Sequence, residues 1–312
     1  MNLKILNSEW LRKPFSALEA TLRLPYLIRY CLEIFLKRLF LFWFLVTLLT
    51  KSVWLGLVLT LIIELFSLRR WYQQSILPRH KLNLKTIKNL YQEREKLTKK
   101  ELITTIERSV KLSAWGLTHI GYVGLAAYGW EYIFRWIYPM LVKTKEFDYH
   151  QLLRGFVNKT IESDQKLWEV AQIKDSLKQK QALVEYLDGY GSRVEDIDLS
   201  LPTFREQTGA IKHLLSLNRY LPAPKTIINK AKKNRGIATV KTLQNLRIPK
   251  AVFNWLLTTT QKNVNLREDR RFWEFLADYQ IRQMILLLAK RHNFGPRHIF
   301  SMSWWELKHA GN

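Results

Sequence analysis

Residues 190 to 206 put a dense set of ionisable side chains into an unpatterned stretch. The run Tyr190-Gly191-Ser192-Arg193-Val194-Glu195-Asp196-Ile197-Asp198-Leu199-Ser200-Leu201-Pro202-Thr203-Phe204-Arg205-Glu206 holds two arginines and four carboxylates. Irregular backbone needs hydrogen-bond partners, and arginine forks meeting carboxylates can lock such a loop. The same groups could instead form a polar patch that orients a ligand. A second cluster, Arg267-Glu268-Asp269-Arg270-Arg271, lies just ahead of an apolar stretch. Carboxylates in a first helical turn suit the positive end of the helix dipole. Alternatively, Arg270 and Arg271 reach across to the first cluster.

Other chemistries find no footing. The seven histidines are scattered, and no pair has the HExxH spacing of a helical zinc site. His292 and His298, around Gly295-Pro296, read as surface residues. Neither a phosphate-binding P-loop nor a Gly-x-Gly-x-x-Gly turn is present, and the Gly-x-Ser-x-Gly elbow is missing. Cys31 is the single cysteine, so the chain cannot close a disulfide on itself or build a cysteine metal site alone.

The elements that must position these clusters read as helices. Thr98-Lys99-Lys100-Glu101 has the form of a capping box. Leu102, Ile106, Val110, Leu117, Ile120, Val123 and Ala127 then recur at three- and four-residue steps, which predicts a helix to about Trp136, ahead of Pro139. Gly116, Gly121, Gly124 and Gly129 inside it imply a close approach by another helix. A short helix is expected from Ser163 as N-cap, and another from about Lys174 to Leu187. Asp188-Gly189 then opens a loop that runs through Pro202. Helix resumes near Glu206 and stops before Pro222. Residues 250–292 read as helix with a break near Asn263. Strand alternation and internal repeats are absent. The expected fold is all-α: a multi-helix domain at 81–312, preceded over 1–80 by a very apolar N-terminal helix or helical hairpin.

Charge and apolarity are both uneven. The 312 residues include 50 Lys and Arg against 26 Asp and Glu, a net charge of +24, and 47% are hydrophobic. That apolar fraction excludes a wholly disordered chain. No acidic residue occurs between Glu206 and Glu268, a stretch with twelve Lys and Arg. Either this is a solvated basic surface or something anionic faces it. Tyr220 and Trp255 could stack bases there, but no known recognition module accompanies them, so nucleic acid is a disfavoured partner. From Leu39 to Phe66 only Lys51 and Glu64 are charged. As one helix this run would measure about 42 Å, enough for a tilted span of a hydrocarbon core of about 30 Å. Lys51 costs about 2.5–3.5 kcal/mol on the insertion scale, and the Leu, Ile, Val and Phe residues repay about 0.3–0.6 kcal/mol each. Lys37, Arg38, Arg69 and Arg70 flank both ends symmetrically. A hairpin with both ends cytoplasmic, too short in each arm to cross, satisfies those flanks, and so does a buried helix pair in a soluble protein.

The run 187–206 resembles a segment of phosphoenolpyruvate synthase-like, PEP-utilising enzymes, a family that includes rifampin phosphotransferase. Tyr190, Gly191, Arg193, Asp198, Leu199, Pro202, Phe204 and Glu206 match its pattern in order. Ser192 stands where the family usually has His, and Thr203 where it has Arg. Leu167, Trp168 and Ala171 resemble a family helix with a Leu-Trp-x-x-Ala pattern. Arg267 through Phe300, with Trp305-Glu306-Leu307, resembles the closing helices. The resemblance covers about residues 80 to 309, which is the family's helical central domain. It implies a non-catalytic module of a split or degenerate phosphotransferase. Separate ATP-grasp and phosphohistidine proteins would bring ATP and Mg as cofactors, none of them held by this chain. It also implies Tyr190, Arg193, Asp198, Arg205, Glu206, Arg267, Arg270 and Arg271 as ligand- or partner-binding residues. A membrane-attached basic scaffold without enzymatic role is the alternative, with residues 39–66 as the membrane contact.

Overall fold

The computed structural model describes residues 17–50, 53, 67–143, 148–192 and 198–309. The expected apolar element over 39–66 therefore lies mostly outside the described residues, as does Arg193. Among those described, the fold is all-α: helices, and no strand beyond one isolated bridge between Val142 and Leu246.

Helices α1 (Ala17–Leu22) and α2 (Leu24–Ile34) lead through a π turn, Phe35–Phe40, into α3 (Leu41–Thr50). A second π turn, Tyr72–Ile76, opens α4 (Leu77–Glu93). The long α5 (Lys99–Leu141) follows and acts as the axis of the molecule. Its 43 residues make it about 65 Å long. Its start is the capping box expected from the sequence: Glu101 N donates to Thr98 Oγ1 at 3.3 Å, and Thr98 N donates to Glu101 Oε2 at 2.8 Å. Its end is later than expected, because Pro139 lies inside the helix. Proline breaks a helix by removing one N–H and displacing the carbonyl four residues back. Here that carbonyl belongs to Arg135, an exposed residue, and only the last turn of the helix remains.

Short α6 (Tyr149–Leu152) precedes α7 (Lys159–Gln172) and α8 (Ser176–Tyr190). Asn158, not Ser163, caps α7, with Ile161 N donating to Asn158 Oδ1 at 3.0 Å. Ser163 is instead buried inside the helix, its hydroxyl 3.2 Å from that of Tyr186. Asp175 caps α8, which runs through Asp188-Gly189 to Tyr190 before Gly191 closes it. Then come α9 (Thr208–Asn218), basic α10 (Pro224–Gln244), α11 (Lys250–Glu274), α12 (Asp278–Arg291), α13 (Pro296–Ser301) and α14 (Trp304–His309). The break expected near Asn263 falls instead at 275–277. Asn263 is buried in α11, where its Nδ2 donates to the Thr259 carbonyl at 2.9 Å.

Three cores are strung along α5. Leu18 and Leu22 join Leu102, Ile106, Ile281 and Ile285 at its start. Tyr30, Tyr72 and Ile76 join Ile120 and Val123 at its middle. Phe134 and Tyr138 meet Leu152 and Phe253 at its end. Residues on both sides of position 80 thus enter the first two cores. A fourth core joins α7, α8 and α9 through Leu167, Tyr186 and Ile211.

Candidate functional site

Residues 198–206 lie against α12, and one carboxylate organises the contact. Glu206 Oε1 accepts from Arg282 Nε at 2.9 Å and from Gln283 Nε2 at 3.0 Å. Its Oε2 accepts from Thr203 N and Thr203 Oγ1, both at 2.9 Å. A carboxylate has about four lone-pair sites, and here each has a donor. Arg282 also donates from Nη1 to the Leu199 carbonyl at 2.6 Å, and its guanidinium lies 4.5 Å from the Phe300 ring. Asp198 Oδ1 accepts from Ser200 N at 2.7 Å, a local turn of the kind Asp favours.

The other expected residues are dispersed over three places. Tyr190 ends α8, stacked on Tyr186 at 5.6 Å and set against Phe272 at 5.5 Å, with Lys166 over its ring. Arg205 pairs with Asp188, and its guanidinium lies 4.9 Å from the Tyr279 ring. Arg205 shares the α12 neighbourhood with Asp198 and Glu206, whereas Tyr190 packs in the fourth core, against Phe272 of α11. The described contacts of Arg267 and Arg270 lie on α5. Both arginines lie near the C-terminal end of α11, so the second cluster is not a first helical turn. Arg267 Nη1 donates to Glu131 of α5 at 2.6 Å. Arg270 lies so close to Gly124 that a Cβ there would meet its Nε at 2.3 Å. The side chain of Arg271 is not among those described. Asp269 does serve a helix dipole, though not that of its own helix. Its Oδ1 accepts from Lys159 N, the first N–H of α7, at 2.9 Å.

Sequence reasoning missed the buried half of the site. Arg23, between α1 and α2, donates from Nη2 to Asp278 Oδ1 at 2.7 Å, with side chains 0% and 3% exposed. Burial pushes the Asp278 carboxyl above its usual range and nearby Asp198 adds to the rise, while Arg23 pulls it down. The sequence did carry a signal for this. Asp278 and Arg282 occupy an i, i+4 row among Ile281, Met284, Ile285 and Leu288, where a core helix should be apolar. Around Glu206 the arrangement binds loop to helix, with the donors of Thr203, Arg282 and Gln283 facing its carboxylate.

Two glycines of α5, Gly116 and Gly124, admit polar side chains rather than another backbone. A Cβ on Gly116 would lie 1.9 Å from His80 Nδ1. His80 Nε2 is 2.8 Å from the Trp273 carbonyl, and burial lowers the pKa of its ring. Among the described residues no group of three His, Cys, Asp or Glu is placed to hold a metal ion, and no helix is long and apolar enough to cross a membrane.

On the basic side, Arg235 of α10 donates to the Arg154 carbonyl at 2.7 Å and lies 3.8 Å from the Phe156 ring. Lys225 approaches Glu169 at 3.7 Å. Compared with family models and with curated proteins, the chain matches none.

Proposed function

We propose that the chain is a non-catalytic helical module of a split or degenerate phosphoenolpyruvate synthase-like phosphotransferase, and that it holds a ligand or partner domain. The observation that carries the reading is the Glu206 junction. It joins 198–206, one segment of the resemblance, to α12 in the closing helices, another segment. A carboxylate with four hydrogen bonds suits a rigid holder better than a proton-transferring base. The acid-free stretch around α10 supplies the face for an anionic partner or phosphorylated ligand. ATP and Mg belong, in this reading, to separate ATP-grasp and phosphohistidine chains. The very apolar N-terminal helix or hairpin attaches the module to its assembly.

Affinity purification of the tagged full chain, with the proteins encoded beside its gene, tests this. Retention of an ATP-grasp protein and a phosphohistidine-domain protein is expected. If neither is retained, or if the purified chain alone turns over ATP or phosphoenolpyruvate, the reading fails.

A further inference from the structure

Helix α2, the first π turn and α3 form one continuous helical path from Leu24 to Thr50. One side of α2, carrying Tyr30 and Ile34, is buried. The other carries Ile28, Leu32, Leu36, Phe40 and Phe44, each between 45% and 56% exposed. These residues stand four apart. An i+4 step in an α-helix advances by about 40° around the axis, so such a row drifts away from its starting face. The wider winding of the π turn at Phe35–Phe40 turns the row back. Five large apolar side chains therefore share one open side, where solubility alone would place polar residues.

Beside this row runs a charged one. Arg29, Glu33 and Lys37 follow one another at the same spacing, with Lys37 Nζ 2.6 Å from Glu33 Oε1. A second set of cations comes from further along the chain. Arg38 Nη2 donates to Ser67 Oγ at 3.0 Å, and its guanidinium lies 3.9 Å from the Trp71 ring. Arg69 and Arg70, with Gln73 and Gln74, line an open depression of about 310 Å³. Arg38 and Ser67, the residues that bracket the apolar run 39–66, thus touch one another.

We propose that this face is a membrane-docking surface for an anionic bilayer. The 24–50 helix lies in the plane of the interface. Its apolar row turns toward the acyl boundary, and Arg29, Lys37, Arg69 and Arg70 sit among the headgroups. Interfacial helices bind in this way, with apolar burial and attraction to anionic lipid adding together. The occupant is fixed by the pairing of two adjacent rows, one apolar and one mainly cationic, in a chain of net charge +24. The docking does not depend on the phosphotransferase reading, and vesicle binding is measured without any partner protein.

The test uses the full chain, labelled at Cys31 with an environment-sensitive fluorophore. Cys31 is exposed beside the apolar row and is the single cysteine. Vesicles of phosphatidylcholine alone are compared with vesicles containing phosphatidylglycerol. Expected are co-flotation and a blue shift with the anionic vesicles, strongly reduced with the neutral ones. Leu32→Asp with Leu36→Asp should weaken binding about a hundredfold or more, with helicity unchanged by circular dichroism. Lys37→Glu with Arg70→Glu leaves the apolar row intact and should lose more than about tenfold, mainly on anionic vesicles. Quenching of the Cys31 label by lipid-borne quenchers in the parent chain needs no variant and should be strong. No association with either vesicle overturns the proposal. Equal binding to both vesicle types, insensitive to the charge reversal, overturns the anionic assignment. A stable dimer by light scattering that ignores vesicles assigns the face to a second copy and also overturns it.

Discussion

Arg282 Nε donates to Glu206 Oε1 at 2.9 Å across 76 positions of sequence, and the Arg282 side chain is only 10% exposed. Removing Glu206 strips this arginine of its carboxylate and leaves Thr203 and Gln283 without their acceptor. Hydrogen bonds to charged groups contribute about 1.5–3 kcal/mol each, and the bonds of one network do not add independently. Glu206→Ala should cost about 3 kcal/mol in urea denaturation, and Glu206→Gln less. Trypsin cleavage after Arg205 under native conditions should speed up in both.

The Arg23–Asp278 pair is fully withdrawn from solvent. A buried pair stripped of one partner costs about 3–5 kcal/mol, whereas apolar replacement of both partners is often neutral. Asp278→Ala should therefore destabilise the fold by that amount. Arg23→Met combined with Asp278→Leu should recover most of the loss. A double variant no more stable than Asp278→Ala would mean that Arg23 acts mainly through other contacts.

What could be read in advance follows from the range of the interaction. The Thr98–Glu101 box and the stripe from Leu102 to Ala127 are local, and both stand as expected. The N-cap of α7 lies five residues earlier than expected because Lys159, Thr160 and Glu162 are polar and conceal the first turn that Asn158 caps. Asp188-Gly189 stays helical because Tyr186 and Tyr190 on either side bury their rings in the fourth core. Asp269 was assigned the correct physics and the wrong helix, since its recipient, Lys159, is 110 positions away. Tyr190, Asp198, Arg205 and Glu206 were legible as a cluster because they are near in sequence. Arg23 and Asp278 were not, being 255 positions apart.

Two glycine-to-alanine changes separate helix propensity from packing. Gly236 is exposed within α10, and nothing lies within 4 Å of a Cβ there. Gly236→Ala should stabilise the protein by about 0.5–1 kcal/mol. Gly116→Ala has the same propensity gain, but its methyl collides with the buried His80 ring. Overpacking costs typically about 1–3 kcal/mol, so the net effect should be destabilising. Thermal melts of the two variants should move in opposite directions from the parent. A stabilised Gly116→Ala would show that His80 can turn aside freely.

His80 should make stability depend on pH. Its Nε2 faces the Trp273 carbonyl at 2.8 Å, so this nitrogen carries the proton of the neutral ring. Burial then opposes a second proton and lowers the pKa, while the Trp273 carbonyl favours the charged form and offsets part of that fall. The unfolded chain has an ordinary histidine, with a pKa of about 6.5. As pH falls below about 6.5, the unfolded state takes up a proton that the folded state refuses, so stability is lost toward acid. One such proton gives a slope of at most about 1.4 kcal/mol per pH unit. His119, whose pKa burial also lowers, adds to the same trend. His80→Gln can still donate to the Trp273 carbonyl but has nothing to titrate. Urea denaturation at pH 7.5, 6.5 and 5.5 should show a shallower loss for this variant than for the parent. His119 and Asp278 act alike in both proteins, so the difference isolates His80. Identical slopes would show that the folded ring titrates as in the unfolded chain, the carbonyl balancing burial, and a steeper loss in the variant would show the carbonyl outweighing it.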